Sequence, residues 1–495
     1  MNSFDQLGSF GLTTTVSNPA STYAVDNSPR FTGIHDLPSN ACAQPQTVTY
    51  PYLAPNTLAC GLAITWGIDD RLRTPYSEVV DFSVQRQLPG GFLLEADYVG
   101  RFGRRLLQQL DLAEPLDLAD PQSGMDYFTA GTTLSKLVDI NQGNPNARVP
   151  AIPYFEDLFP DAAGNGNSAT QNIYSQNWVV NRGNETNALY NMDVYCFPGC
   201  GGKLNRYFQD QFTSLYAWSS IGMSSYNAGQ LILRHAMSHG LHLDFSYTFS
   251  QSIDYGSDSE RTNELYGQIG VFQHGSSFSE IINSYKPQLN RAVSDFDTRH
   301  LITADWVYRL PFGTGQPFAG GASRGLNALI GGWQFSGLNR WSSGLPFGVI
   351  DPTWSTNWQV QSYVVQTGVV KLHKHLINGA PNAFVDPAAI NNGLASGSPV
   401  RLPYPGEAGE RNNYRGDGFF DIDTGLTKSW NITERQSLKF AWEIFNVTNS
   451  VRFDTTVAAS NATALNNTAT SNTLGAYSST LTLPRVQQFS LRYTF

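Results

Sequence analysis

The sequence predicts an all-β protein, an antiparallel transmembrane β-barrel with long extracellular loops. Three observations lead there. Apolar and polar residues alternate in runs of roughly ten, short and long connections alternate between those runs, and the chain is poor in charge but rich in aromatic rings. Of 495 residues 14% are charged and 13% are aromatic, whereas an ordinary globular protein carries about 25% charged residues.

The first run sets Val80, Phe82, Val84 and Leu88 against Asp81, Ser83, Gln85 and Gln87. Pro89–Gly90–Gly91 predicts a tight turn, because proline presets φ and glycine accepts positive φ. Phe92, Leu94, Ala96 and Tyr98 then share one face on the way back, with Glu95 and Asp97 on the other. This is a hairpin with one apolar and one wet side. Residues 224–238 lead to a turn at His239–Gly240, after which Leu241, Leu243, Phe245, Tyr247 and Phe249 alternate with His242, Asp244, Ser246, Thr248 and Ser250. Residues 299–310 put His300, Ile302, Ala304, Trp306, Tyr308 and Leu310 on one face, and 332–343 carry Trp333, Phe335 and Trp341. A further hairpin joins 420–430 to 438–446, and Phe489, Leu491, Tyr493 and Phe495 alternate to the last residue. The pattern amounts to nine or ten strands, and helical periodicity is almost absent.

Connections after residues 88, 238 and 430 are short, and the one after 310 is moderate. Those at about 102–223, 254–297, 345–418 and 447–483 are long and rich in Asn, Ser, Thr and Gly. Tight turns at one end and large loops at the other are the asymmetry of an outer-membrane barrel, and a soluble sandwich has no reason to gather every long loop at one end. The chain accordingly divides into a loop-rich segment, 1–74, and a barrel region, 75–495. Tyr76, Tyr98, Tyr247, Trp306, Tyr308, Trp333, Trp341, Trp430, Trp442 and Tyr493 fall where interfacial girdles would lie, although each alone would also suit the core of a large soluble β-protein.

A net charge of −9 and a pI near 5.4 argue against a nucleic-acid partner, which calls for a concentrated basic face. No stretch reaches the roughly 18 to 20 apolar residues of a membrane helix. A mean hydropathy of −0.28 still suits barrel strands, since only every second residue meets lipid. In such a wall Asp81, Gln85, Asp244, Asp421, Asp423, Lys439, Glu443 and Arg492 would line the lumen, with Phe82, Phe245 and Leu491 toward lipid.

Four cysteines, Cys42, Cys60, Cys196 and Cys200, lie in Pro-, Gly- and Asn-rich surroundings. Cys196–Phe197–Pro198–Gly199–Cys200 is a candidate disulfide, because a Pro-Gly turn brings the sulfurs together and an oxidising compartment preserves the bond. The alternative is two free thiols in a loop. Zinc is not expected without a repeated Cys-x-x-Cys.

Asp295/Asp297 and Asp421/Asp423 each set two carboxylates on one face of extended chain, roughly 7 Å apart, a spacing compatible with a glycosidase pair. The simpler reading is a charged wall or loop base, with Arg299 pairing either aspartate of the 295–300 run. His373–Lys374–His375 offers two imidazoles without a third ligand. No nucleophile elbow, phosphate loop or dinucleotide fingerprint occurs. Neither enzymatic activity nor a cofactor or metal is therefore expected.

Several stretches resemble a known family. They include Ser83–Val84–Gln85–Arg86 with Leu88–Pro89–Gly90–Gly91, Tyr98–Val99–Gly100, Ser225–Tyr226–Asn227, Ser294–Asp295–Phe296–Asp297–Thr298–Arg299–His300 and Leu310–Pro311–Phe312–Gly313. Gly331–Gly332–Trp333, Ser343–Gly344–Leu345–Pro346–Phe347, Glu443–Ile444–Phe445–Asn446–Val447–Thr448–Asn449 and Pro484–Arg485 continue the series. In order and spacing, over residues 75–495, they resemble the C-terminal barrel of TonB-dependent receptors, in the Oar-like branch with a carboxypeptidase-regulatory-like N-terminal domain.

The resemblance implies the C-terminal part of a large barrel of about 22 strands, placed in the outer membrane of a Gram-negative-type envelope. It further implies capture of an extracellular ligand and TonB-coupled uptake. The partners are outer-membrane lipid, the barrel-assembly machinery, an extracellular ligand of unknown identity, and TonB acting only through a plug. The terminal Phe489, Leu491, Tyr493 and Phe495 resemble the barrel-assembly signal. Signal peptide, coupling box and plug have no counterpart here, and only about half the strands are present. A fragment of a longer product or a truncated reading frame is therefore expected, since two unpaired strand edges are not tolerated in hydrocarbon. The rival expectation is a secreted all-β carbohydrate-binding protein or glycosidase, or a surface adhesin.

Overall fold

The computed structural model of the chain describes residues 63–208, 212–257, 281–358, 360–377, 379–391, 397–455 and 465–495. Cys42, Cys60 and most of segment 1–74 lie outside the described residues, as do the side chains of His373, Lys374 and His375.

Eleven strands build one sheet: β1 (Ala63–Ile68), β2 (Tyr76–Leu88), β3 (Phe92–Asp111), β4 (Phe212–Ser238), β5 (Leu241–Asp254), β6 (Ala292–Val293), β7 (His300–Arg309), β8 (Trp333–Ser342), β9 (Phe419–Asn431), β10 (Ser437–Phe445) and β11 (Val486–Thr494). Nine of them form an antiparallel meander in the order β11-β10-β9-β8-β7-β5-β4-β3-β2. β1 pairs in parallel with the start of β4, from Ala63 opposite Phe212 to Ile68 opposite Trp218, and β6 adds to the end of β5. Among the described residues β2 and β11 each pair on one side only. No described helix is long and apolar enough to cross a membrane.

Local chemistry fixes the register. In the β4–β5 turn His239 and Gly240 have φ of 49° and 83°. Two consecutive positive φ values give the hairpin twist that matches the flanking strands. Turns at 89–91, 239–240 and 432–436, with the 310–332 connection, gather at one end of the sheet, and the long connections at the other.

The first long connection differs from the expected 102–223. β3 continues to Asp111 and β4 begins at Phe212, with Gln108 opposite Ser219 and Asp111 opposite Tyr216 beyond a bulge near Arg105. Leu110, Tyr216, Ala217 and Trp218 are buried, so these extensions lack the half-wet alternation by which the other strands are read.

The long connections are also not merely solvated. Residues 112–208 carry the helices α1 (Tyr127–Ile140), α2 (Pro153–Leu158), α3 (Ala169–Ile173) and α4 (Glu185–Asp193). Helical periodicity does exist in α1, where Asp126 caps the Thr129 amide and Tyr127, Ala130, Leu134 and Val138 face inward. Tyr154, Phe155, Phe159, Tyr174, Trp178, Tyr207 and Phe208 complete that core. A second core joins Phe347, Phe384, Tyr414 and Leu465 from the 343–418 and 446–485 connections. A short helix, α5 (Arg324–Ile330), lies in the 310–332 connection.

Candidate functional site

Residues directly opposite in an antiparallel pair share a face, so the register can be followed across the sheet. Arg492 stands opposite Lys439, and Glu443 and Lys439 opposite Gly425 and Ser429. Asp421 and Asp423 stand opposite Arg340 and Leu338. Leu338 leads to Asp305, Asp305 to Asp244, and Asp244 to Arg234. Arg234 faces Leu93, which shares its strand face with Glu95 and Val99, the partners of Gln85 and Asp81. The structure thus brings all eight polar residues singled out in the sequence onto one face.

The opposite face is apolar. Phe82 faces Tyr98, Phe245 faces Ala304, and Leu491, Phe489 and Tyr493 face Phe440, Trp442 and Leu438. The Trp442 and Phe489 rings stack with centroids 5.7 Å apart. The ten aromatics named above all belong to this face. Phe495 follows β11 and is almost fully exposed.

Charge on the polar face is interlocked. Arg234 reaches Glu95 at 3.3 Å and Asp244 at 3.9 Å. His242 Nε2 lies 3.4 Å from Asp244 and 3.9 Å from Asp305. His242, Asp244 and Asp305 bring one imidazole and two carboxylates within 4.8 Å of each other. That donor set is chemically able to hold a cation, but all three are open to solvent and Arg234 already answers part of the charge.

At the rim, the expected pairing of Arg299 with Asp295 or Asp297 gives way to two arginines from a distant connection. Arg411 pairs with Asp254 and, at 3.3 Å, with Asp295. Arg415 pairs with Asp297, and Asn412 donates to Asp295 at 2.6 Å. Asp295 and Asp297 are thus tied into separate ion pairs with different arginines. No local pattern announces these partners.

Behind the rim a buried network joins the helical body to the 343–418 connection. Arg182 donates to Asp139 at 2.8 Å and to Glu185 at 2.9 Å, and to the carbonyls of Pro403 and Leu402. Its guanidinium lies 4.9 Å from the centroid of the Tyr404 ring, and the Tyr404 hydroxyl donates to Asp139. Burial pushes Asp351 up to about 7 against the opposing bonds from Thr353. Burial likewise raises Glu114 well above the carboxylate range, although the Ser284 amide donates to it. Cys196 and Cys200 are joined in a disulfide in the same body, where the Asp161 carboxylate accepts from the Cys200 amide at 3.0 Å.

An antiparallel sheet with one apolar, aromatic-studded face, one charged face and its long connections at a single end defines an outer-membrane β-barrel wall. The profile of the outer membrane beta barrel domain matches residues 4–488, and the chain belongs to that family. It is therefore a protein of the Gram-negative outer membrane. Among curated proteins none matches. The outer membrane transporter YddB from Escherichia coli is similar at 11% identity and a TM-score of 0.33, over 87% of this chain and 34% of that one. The ferric-catecholate import receptor Fiu from E. coli K12 is similar at 8% and 0.31, over 89% and 31%. The pyoverdine outer membrane receptor FpvA from Pseudomonas aeruginosa PAO1 is similar at 9% and 0.29, over 85% and 30%. The chain thus spans about a third of the length of these structures.

Proposed function

We propose that the chain forms part of an Oar-like receptor barrel that captures an extracellular ligand and passes it inward under TonB coupling, without enzymatic activity of its own. The observation that carries this reading is the charged face running unbroken from β2 to β11 beneath packed long connections. A polar lumen wall gives a hydrophilic ligand a path, and folded connections with fixed surfaces give it a binding platform. Asp81, Gln85, Asp244, Asp421, Asp423, Lys439, Glu443 and Arg492 line the path. Lipid contacts the aromatic face, the barrel-assembly machinery reads the alternation ending at Phe495, and TonB acts through a plug domain.

The test compares culture media by mass spectrometry in a strain with the gene, without it, and depleted of TonB. The reading predicts at least one compound whose removal from the medium requires both. If no compound depends on both while surface attachment depends on the gene, the barrel is an adhesin and the reading fails.

A further inference from the structure

The 310–332 connection folds back against the apolar face of the sheet. Trp430 Nε1 donates to the Ala328 carbonyl at 2.8 Å, and Trp333 Nε1 donates to that of Leu329 at 2.8 Å. Lys428 Nζ donates to the Leu329 carbonyl at 3.1 Å and also to that of Gly331. Lys428 and Trp333 are direct cross-strand partners, and Lys428 faces Phe440 on its other side, which in turn faces Leu491. The C-terminal end of α5 therefore sits on the face that meets lipid, not on the lumen side.

This placement resolves what would otherwise be a costly arrangement. A lysine on a lipid-facing row needs polar partners, and here the last carbonyls of α5 supply them, where a cation is also favoured by the helix dipole. Lys428 is 2% exposed, with the Trp333 and Trp430 ring centroids 5.1 and 5.3 Å from its ammonium. With its inner side held this way, the connection turns large apolar side chains outward. Leu329 is 71% and Phe318 57% exposed, and Leu326 and Phe312 are exposed beside them. Trp333, Trp430, Tyr308 and Tyr493 stand at the same end of the strands, at the level where Trp and Tyr mark a membrane interface.

We propose that residues 310–332 are a membrane-surface foot whose occupant is phospholipid of the periplasmic leaflet. α5 lies along the headgroup level, Leu326, Leu329, Phe312 and Phe318 enter the acyl boundary, and Arg324 stays at the polar surface. Continuity with the lipid-facing wall favours lipid over a protein partner. The foot shields Lys428 and fixes the height of β7, β8 and β9 in the bilayer.

The test places a fluorescent NBD label at Leu329→Cys, and separately at Phe318→Cys, in the full chain carrying Cys42→Ser and Cys60→Ser with the Cys196–Cys200 disulfide intact, in phosphatidylethanolamine vesicles containing nitroxide phospholipid. Phe245→Cys serves as the wall control and Glu434→Cys, in the β9–β10 turn, as the aqueous control. The foot predicts that labels at 329 and 318 are quenched by nitroxide lipid and shielded from iodide, as at 245. Iodide quenching at 329 and 318 like that at 434, with 245 still lipid-quenched, overturns the foot. An iodide-accessible label at 245 overturns it as well, since the wall itself would then not meet lipid. Should Leu329→Cys fail to insert, the Phe318→Cys reading decides.

Discussion

Asp244 and Asp305 stand directly opposite each other across β5 and β7, with the His242 imidazole 3.4 Å from the first and 3.9 Å from the second. Like charges facing across a strand pair oppose the pairing, typically by about 0.2–1 kcal/mol. Their survival fits a wet wall, where water and Arg234 offset the repulsion. Asp305→Asn is expected to stabilise the sheet by a few tenths of a kcal/mol up to about 1 kcal/mol. The measurement is the temperature at which the folded band is lost in SDS gels. A fall rather than a rise would show that the pair is held by an attraction, such as a bound cation.

Arg182 is the centre of the loop body, with Asp139 and Glu185 both dependent on it. Removing one partner of a buried ion pair strands the other charge, at a cost of about 3–5 kcal/mol. Arg182→Leu should therefore loosen residues 112–208, seen as faster hydrogen exchange in α1 and α4, while exchange in β7 and β8 stays unchanged.

Asp351 gives the same region a pH dependence. Its folded-state pKa is pushed up to about 7, so the native state binds a proton that the unfolded chain releases near pH 4. Stability is fully present below that unfolded value and is lost as pH rises toward 7. Protection factors in the loop body, with the intrinsic base-catalysed exchange rate divided out, should be higher at pH 5 than at pH 7.5, and Asp351→Asn should reduce the difference while buried Glu114 keeps part of it. Equal or higher protection factors at pH 7.5 would contradict the assignment.

The strands were readable because water on one face and lipid on the other force a two-residue period, which Leu241–Phe249 and Phe489–Phe495 display openly. Where both faces are buried the period vanishes, and the outer part of β4 with Tyr216 and Trp218 could not be told from loop. α1 does carry a helical spacing, but it sits within a region whose composition resembles solvated connection. The rim pairs Arg411–Asp254 and Arg415–Asp297 join residues far apart in sequence, and no local rule anticipates them. Arg299, adjacent in sequence to the acidic run, was for that reason the wrong partner to expect.

Trp306 lies across Gly337, its direct neighbour on β8. A Cβ at 337 would collide with the Trp306 indole ring. Gly337→Val should expel the ring from its place on the apolar face, at a cost of about 1–3 kcal/mol. The expected readout is a lowered temperature of band loss in SDS gels, with partial recovery in Trp306→Ala/Gly337→Val, where the clash is gone.

The central claim is that one face of the sheet meets water and the other lipid. Spin labels at Asp81, Gln85, Asp244, Glu443 and Arg492, compared with Phe82, Phe245 and Leu491 in outer-membrane vesicles, test it most directly. The account predicts that the first set collides mainly with a water-soluble nickel complex and the second mainly with oxygen dissolved in lipid. Lipid-like collisions at the first set and water-like collisions at the second would contradict it.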